Sequence, residues 1–101
     1  DGWAVEQGNR ILRFFASQGP AIPNQFTLDG KPLSKDTSVG LTAMAAVAGL
    51  AADPDLARPF VQQLWDAPIP TGHWRYYDGL LYFLGLMETG GRFKIYPPKI
   101  P

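Results

Sequence analysis

The sequence predicts an all-α fold of about four helices arranged as helical hairpins. Apolar residues recur at helical spacing in four separate segments, Gly or Pro bounds each of them, and the only strand-like alternation is the short tail Arg92–Tyr96.

In the first segment, Trp3 to Gln18, the apolar positions Val5, Ile11, Leu12, Phe14 and Phe15 oppose Glu6, Asn9, Arg10, Arg13 and Gln18, which predicts one amphipathic helix. Gly19-Pro20 ends it, because Gly accepts a left-handed cap and Pro cannot continue the hydrogen-bond ladder. Ala21 to Asp36 carries the turn formers Pro23, Gly30 and Pro32, and Leu28-Asp29-Gly30-Lys31 reads as a tight reversal within a long loop. Loops of this length are usually functional or tied down by a larger body.

Ser38 is placed to cap a second helix running to Ala52, with small apolar side chains almost all the way round, so this helix is expected to be buried. Gly40 and Gly49 each cost it up to ~1 kcal/mol relative to Ala, which fits a close approach by another backbone. Asp53-Pro54 opens a third helix by cap and first-turn rules, with Leu56, Phe60, Val61, Leu64 and Trp65 on its apolar side. Pro59 lies beyond the first turn and predicts either a kink or a second helix start. Ala67 to Gly72 is a rigid connector, and Tyr76 to Thr89 forms a fourth helix closed by Gly90-Gly91. Tyr82, Phe83, Leu84 and Met87 in it read as core. The tail Arg92–Tyr96 is stopped by Pro97-Pro98. Small residues on the second and fourth helices fit two antiparallel hairpins, stacked, better than a heptad bundle.

With 101 residues, 46% hydrophobic and 18% charged, the chain suits one small domain whose lean charged surface fits faces built to pack against further elements. Nine basic and nine acidic side chains balance, with no basic stripe, which argues against nucleic acid as a partner. No apolar run reaches the ~18 residues that span a bilayer, so no membrane partner is expected. The absence of Cys removes disulfides and thiolate metal sites but leaves the compartment open.

The carboxylates are scattered, and no spacing marks the acid and base pair, ~6.5 to 9.5 Å apart, of inverting glycoside hydrolysis. Asp53, Asp55 and Asp66 read as helix caps and solvated charges; Asp36 and Asp78 stand at helix starts that the loop pattern puts on one face. His73, the only histidine, reads as a loop residue and implies no metal site. No cofactor motif is present: Gly79 and Gly85 fall inside one helix and cannot cradle a pyrophosphate. The stronger signal is aromatic. Trp74, Tyr76 and Tyr77 cluster with Arg75 and Asp78 at the mouth of the fourth helix, and such rings pack on the C–H face of a pyranose while Tyr, Arg and Asp reach its hydroxyls. Trp74 and Tyr77, three apart, present to one side and Tyr76 to the other. The competing reading has one of these rings plug the end of the core.

Six segments carry a resemblance that covers nearly the whole chain: Phe14-Phe15-Ala16-Ser17-Gln18-Gly19, Thr27-Leu28-Asp29-Gly30, Val39-Gly40-Leu41-Thr42-Ala43-Met44, Phe60-Val61-Gln62-Gln63-Leu64-Trp65, Arg75-Tyr76-Tyr77-Asp78-Gly79-Leu80-Leu81-Tyr82 and Gly91-Arg92-Phe93-Lys94-Ile95-Tyr96. Together they resemble the C-terminal part of the family-8 glycoside hydrolases, in particular the branch of xylanases and reducing-end xylose-releasing exo-oligoxylanases. The resemblance implies part of an (α/α)6 barrel that cleaves β-1,4-linked chains with inversion, xylan and xylo-oligosaccharides first and β-glucan second. It also implies that the acid Glu and base Asp lie upstream, so that residues 1–101 form a single C-terminal segment without catalytic residues, inactive alone, packing on the N-terminal helices of its own domain. The start at Asp1 rather than Met agrees with that expectation. Carried over by motif, Trp74 and Tyr77 resemble cleft-lining aromatics, with Arg75, Tyr76 and Asp78 completing the substrate-binding set. Members that release xylose carry a Leu-His-Pro kink where this sequence has Asp36-Thr37-Ser38, which implies an open cleft and endo cleavage. A second reading, from a different class, is a small all-α interaction module whose aromatic patch binds a glycan or a protein.

Overall fold

A computed structural model describes residues 1–93 and 96–100 of the chain. It contains four α-helices, α1 (Gly2–Ala16), α2 (Val39–Ala48), α3 (Pro54–Asp66) and α4 (Tyr77–Thr89), with one 3-10 turn at Gly72–Trp74 before α4. The alternating tail expected through Lys94 and Ile95 lies outside the described residues.

The Asp1 carboxylate caps α1 by accepting from the Ala4 N–H at 2.8 Å. The helix stops at Ala16, short of the expected Gln18: the N–H groups of Gln18 and Gly19 bond to the carbonyls of Phe15 and Ala16, and Gly19 sits at φ +95°. Leu12 and Phe15 are buried on its inner face, whereas Trp3, Val5 and Ile11 stay exposed. The long loop is more ordered than its composition suggests. It doubles back as an irregular hairpin, with antiparallel bridges pairing Pro23 with Thr37 and Phe26 with Pro32. The expected reversal is present at its tip, where Gly30 takes φ +88° and its N–H bonds to the Thr27 carbonyl at 3.0 Å. Phe26 anchors the hairpin by packing edge-on against Phe14, centroids 5.0 Å apart.

Ser38 caps α2 as expected, accepting from the Leu41 N–H at 3.3 Å. The helix ends at Ala48 instead of Ala52. The N–H groups of Leu50, Ala51 and Ala52 bond to carbonyls three residues back, which tightens the chain into the turn that delivers α3. Gly49 lies at that turn, where an added Cβ would meet the Ala57 Cβ at 2.9 Å. Of the two readings of Pro59, the second helix start is overturned, since α3 runs unbroken from Pro54 to Asp66 with Pro59 inside it. Asp53 stands at the start of α3 but makes no capping bond with its side chain. Its carboxylate instead accepts from Asn9 Nδ2 at 3.1 Å, and its N–H donates to Asn9 Oδ1 at 2.8 Å. Asn9 is the one buried polar side chain among the described residues, and this two-point contact fastens α1 to the α2–α3 turn.

The exit of α4 completes a Schellman motif: the Arg92 N–H bonds to the Met87 carbonyl at 2.8 Å, the Gly91 N–H to Glu88 at 3.1 Å, and Gly91 sits at φ +69°. Within α4 the expected core assignment fails at Phe83, which is 57% exposed, because Gly85 and Leu86, not Phe83, face the neighbouring helices.

The packing centre is α2, which lies most extensively against α4 and then α3, with α1 contributing less. One buried cluster joins Leu12, Phe15 and Ile22 to Ala45, Ala57 and Phe60; a second holds Ala43, Ala46 and Leu64 with Tyr82 and Leu86 against them. Burying a side chain such as Leu12 or Leu64 contributes about 1.5–3 kcal/mol. The α2–α4 contact is close because both sides are small: a Cβ on Gly85 would lie 2.9 Å from the Ala43 Cβ. Gly40 faces Asp78 and Leu81 while Ala43 faces Gly85, so residue numbers rise together along the two helices. They therefore run parallel and begin at the same face of the molecule. The result is a slab of 52 × 38 × 24 Å with a radius of gyration of 14.8 Å, against about 13 Å for a compact domain of 100 residues.

Candidate functional site

The shared face at the starts of α2 and α4 holds an open groove of about 880 Å³. Its floor is Ser38, Gly40, Leu41 and Met44 from α2 and Leu81 from α4; one wall is the hairpin, through Asn24, Gln25, Lys35, Asp36 and Thr37; the other is Trp74, Tyr77 and Asp78.

The hairpin wall is positioned by its own ladder. The Asn24 N–H donates to the Asp36 carbonyl at 2.8 Å, and the Ser34 hydroxyl donates to Asn24 Oδ1 at 2.8 Å. The aromatic wall is positioned by the 3-10 turn, in which Gly72 at φ +67° reverses the chain and the Arg75 N–H bonds back to the Gly72 carbonyl at 3.3 Å. That turn lifts Trp74 and Tyr77 clear of the core, leaving them 66% and 73% exposed. The His73 and Trp74 rings pack edge to face with centroids 4.9 Å apart, and His73 stays outside the groove. Asp78, half-buried in the first turn of α4, accepts from the Ser38 hydroxyl at 3.2 Å.

The five residues selected from sequence therefore divide. Trp74, Tyr77 and Asp78 come together on one wall. Arg75 and Tyr76 do not line the groove: Arg75 Nη2 donates to the Tyr76 hydroxyl at 3.1 Å, and its guanidinium lies 4.9 Å from the Tyr76 ring centroid. Tyr76 is exposed and does not plug the core. Asp36 and Asp78, separated by 42 positions (78 − 36), meet in the same groove. The hairpin residues Asn24, Gln25, Lys35 and Thr37 were missed, since polar residues in a loop carry no local mark of the wall they build. Among the described residues no group of three or more His, Asp or Glu is placed to hold a metal ion, and no helix is long and apolar enough to cross a membrane.

Chemically, the groove offers two flat aromatic faces beside a carboxylate, opposite amide, hydroxyl and mixed-charge groups. That arrangement suits a neutral polyhydroxylated ligand, whose ring faces are apolar and whose edges are hydrogen-bonding.

No family model matches the chain. Individual proteins do. The chain is 38% identical over 98 residues to the reducing-end xylose-releasing exo-oligoxylanase Rex8A of Paenibacillus barcinonensis, covering 95% of this chain and 26% of that protein. It is 36% identical over 100 residues to the reducing-end xylose-releasing exo-oligoxylanase of Halalkalibacterium halodurans, covering 96% and 26%. A solved family-8 glycoside hydrolase from Teredinibacter turnerae in complex with xylobiose superposes with a TM-score of 0.82 at 40% identity, over 90% of this chain and 23% of that one. Rex8A complexed with xylose gives 0.84 at 37% identity, over 97% and 26%. The chain spans about a quarter of the length of the curated relatives it matches. In fold it is a helical segment of an (α/α)6 barrel. Within that class the chain is similar to a segment of family-8 glycoside hydrolases, exo-oligoxylanases and xylanases among them.

Proposed function

We propose that the protein is an inverting glycoside hydrolase acting on β-1,4-linked oligo- or polysaccharides, xylan and xylo-oligosaccharides before β-glucan, and that this chain supplies cleft wall and not the acid/base pair. The observation that carries the reading is the groove between the hairpin and the mouth of α4, on a chain similar to family-8 enzymes solved with xylobiose and with xylohexaose. In this reading Trp74 and Tyr77 pack on pyranose faces, Asp78 accepts from a sugar hydroxyl, and the polar hairpin wall bonds to ring substituents on the other side. Asp36, Thr37 and Ser38 line the groove as short polar side chains, which supports a cleft open at this end and cleavage within the chain. The uncovered apolar residues Trp3, Trp65, Leu80 and Phe83 support packing against further helices of the same domain.

In the protein containing this chain, Trp74→Ala and Tyr77→Ala are each expected to lower kcat/KM on xylohexaose about tenfold or more, as for aromatic anchors at binding interfaces. Unchanged kcat/KM in both variants would overturn their placement in the cleft. Product analysis tests the open end: a ladder of shorter oligosaccharides is expected early, whereas xylose as the sole early product would refute internal cleavage. The 101-residue chain by itself is expected to release no reducing sugar; hydrolysis by it would show that the acid and base lie within these residues after all.

A further inference from the structure

Asp78 is the charged group on the aromatic wall, and two features of α2 act on the same one of its oxygens. The Ser38 hydroxyl donates to Asp78 Oδ1 at 3.2 Å while accepting from the Leu41 N–H at 3.3 Å, so its single proton is committed to the carboxylate. Gly40 lies beneath that oxygen: a Cβ built there would stand 2.8 Å from Asp78 Oδ1 and 2.8 Å from Leu81 Cδ1, closer than side chains pack. No other hydrogen bond to the Asp78 carboxylate forms among the described residues.

We infer that Ser38 and Gly40 are positioning residues for Asp78: the Ser38 hydroxyl holds one carboxylate oxygen over the clearance left by Gly40, and the other oxygen is thereby presented to the groove as an acceptor for a substrate hydroxyl. The inference rests on the reading of the groove as a sugar cleft and deepens it, because it assigns the orientation of its acceptor to α2. Two neutral functions of Ser38 separate here. As a helix cap it needs only an acceptor, which Asp supplies equally; as a holder of Asp78 it needs a hydroxyl proton, which Asp lacks at neutral pH and which Thr retains. Gly40 gives an independent handle. Ala at a helix interior is favoured over Gly by up to ~1 kcal/mol, and the atoms a Cβ would meet are the mobile ends of two side chains. The chain can therefore accept Gly40→Ala by moving the carboxylate.

The experiment combines kinetics on xylohexaose with thermal melting and crystal structures of the full protein carrying Ser38→Thr, Ser38→Asp or Gly40→Ala. Expected are a KM raised about tenfold to a hundredfold in Ser38→Asp and Gly40→Ala, the range for loss of a hydrogen bond to a charged group. In both, kcat should stay within about threefold, and Tm should not fall in Gly40→Ala, which unlike Ser38→Asp sets no second carboxylate beside Asp78, while Ser38→Thr keeps most of the affinity. KM unchanged in Gly40→Ala with a displaced carboxylate would show that Asp78 is not an acceptor for this substrate. An Asp78 carboxylate found unmoved in both Ser38→Asp and Gly40→Ala would overturn the positioning role whatever the kinetics. If the unsubstituted protein turns over no β-1,4-linked oligosaccharide, the functional reading fails, and the carboxylate position in the variants still decides whether α2 sets it.

Discussion

Asn9 shows how one residue can hold two elements. It lies on the side of α1 that the hydrophobic pattern assigns to solvent, yet it is 8% exposed because it bridges both the N–H and the carboxylate of Asp53. Removing the amide loses both hydrogen bonds to the exposed Asp53, one of them to a charged carboxylate, so Asn9→Ala is expected to destabilise the protein by about 1–3 kcal/mol. Denaturant unfolding checks this; a change below about 0.5 kcal/mol would mean that water replaces the amide. Asp29 makes a pH-dependent counterpart on the hairpin. The Thr27 hydroxyl, its own backbone N–H and then Lys31 favour its charged form and hold its carboxyl below the ordinary carboxylate range. Because the folded value is depressed, the turn gains from the charge above the ordinary carboxylate pKa, and that gain is lost as the pH falls through the lowered one. Carboxyl chemical shifts should accordingly place the Asp29 midpoint below the ordinary carboxylate value. A midpoint at or above that value would dissolve the Thr27–Asp29 contact in solution.

At the scale of elements, glycines decide how closely helices approach. Gly8 was not singled out by sequence, yet an added Cβ would sit 3.2 Å from the Ala48 carbonyl oxygen and 3.2 Å from the Ala52 nitrogen, both backbone atoms that cannot swing aside. Gly8→Val should therefore separate α1 from the end of α2 and cost about 1–3 kcal/mol by overpacking. Gly91 is required for a different reason. Its surroundings are open, but φ +69° is unfavourable for side chains, and Gly91→Ala is expected to cost about 1–2 kcal/mol. Both should lower the Tm, and NMR distinguishes them: Gly8→Val should also perturb the Asn9–Asp53 contact, while Gly91→Ala should leave it intact. Helix starts were read more accurately than helix ends. Ser38 and Asp53-Pro54 carry side-chain chemistry that marks a start, whereas the ends of α1 and α2 were set by 3-10 tightening toward the next element, which leaves no local mark.

For the whole molecule, the uneven distribution of apolar surface is the main physical fact. The buried set is small and rich in Ala, while Trp3, Trp65, Leu80 and Phe83 are exposed on a slab whose thinnest dimension is 24 Å. A 101-residue chain with this surface should bind ANS or self-associate when isolated. A sharp, monomeric, ANS-negative melt would instead favour the interaction-module reading over a segment that packs against further helices.

From the order of residues alone come the four helices, the cap at Ser38, the reversal at Gly30 and the loading of aromatics at the mouth of α4, because each rests on interactions within a few residues of chain. The resemblance to family-8 glycoside hydrolases also lay in local motifs and is matched by relatives over 95% of the chain. Only the tertiary structure decided that the loop is a hairpin forming a wall, that Arg75 and Tyr76 turn to each other and not to the groove, and that Phe83 faces outward. Those outcomes depend on the parallel packing of α2 on α4, fixed by Gly40 against Asp78 and Gly85 against Ala43. Contacts between residues some forty positions apart are set by how two surfaces fit, and periodicity along a single helix carries no information about the surface it will meet.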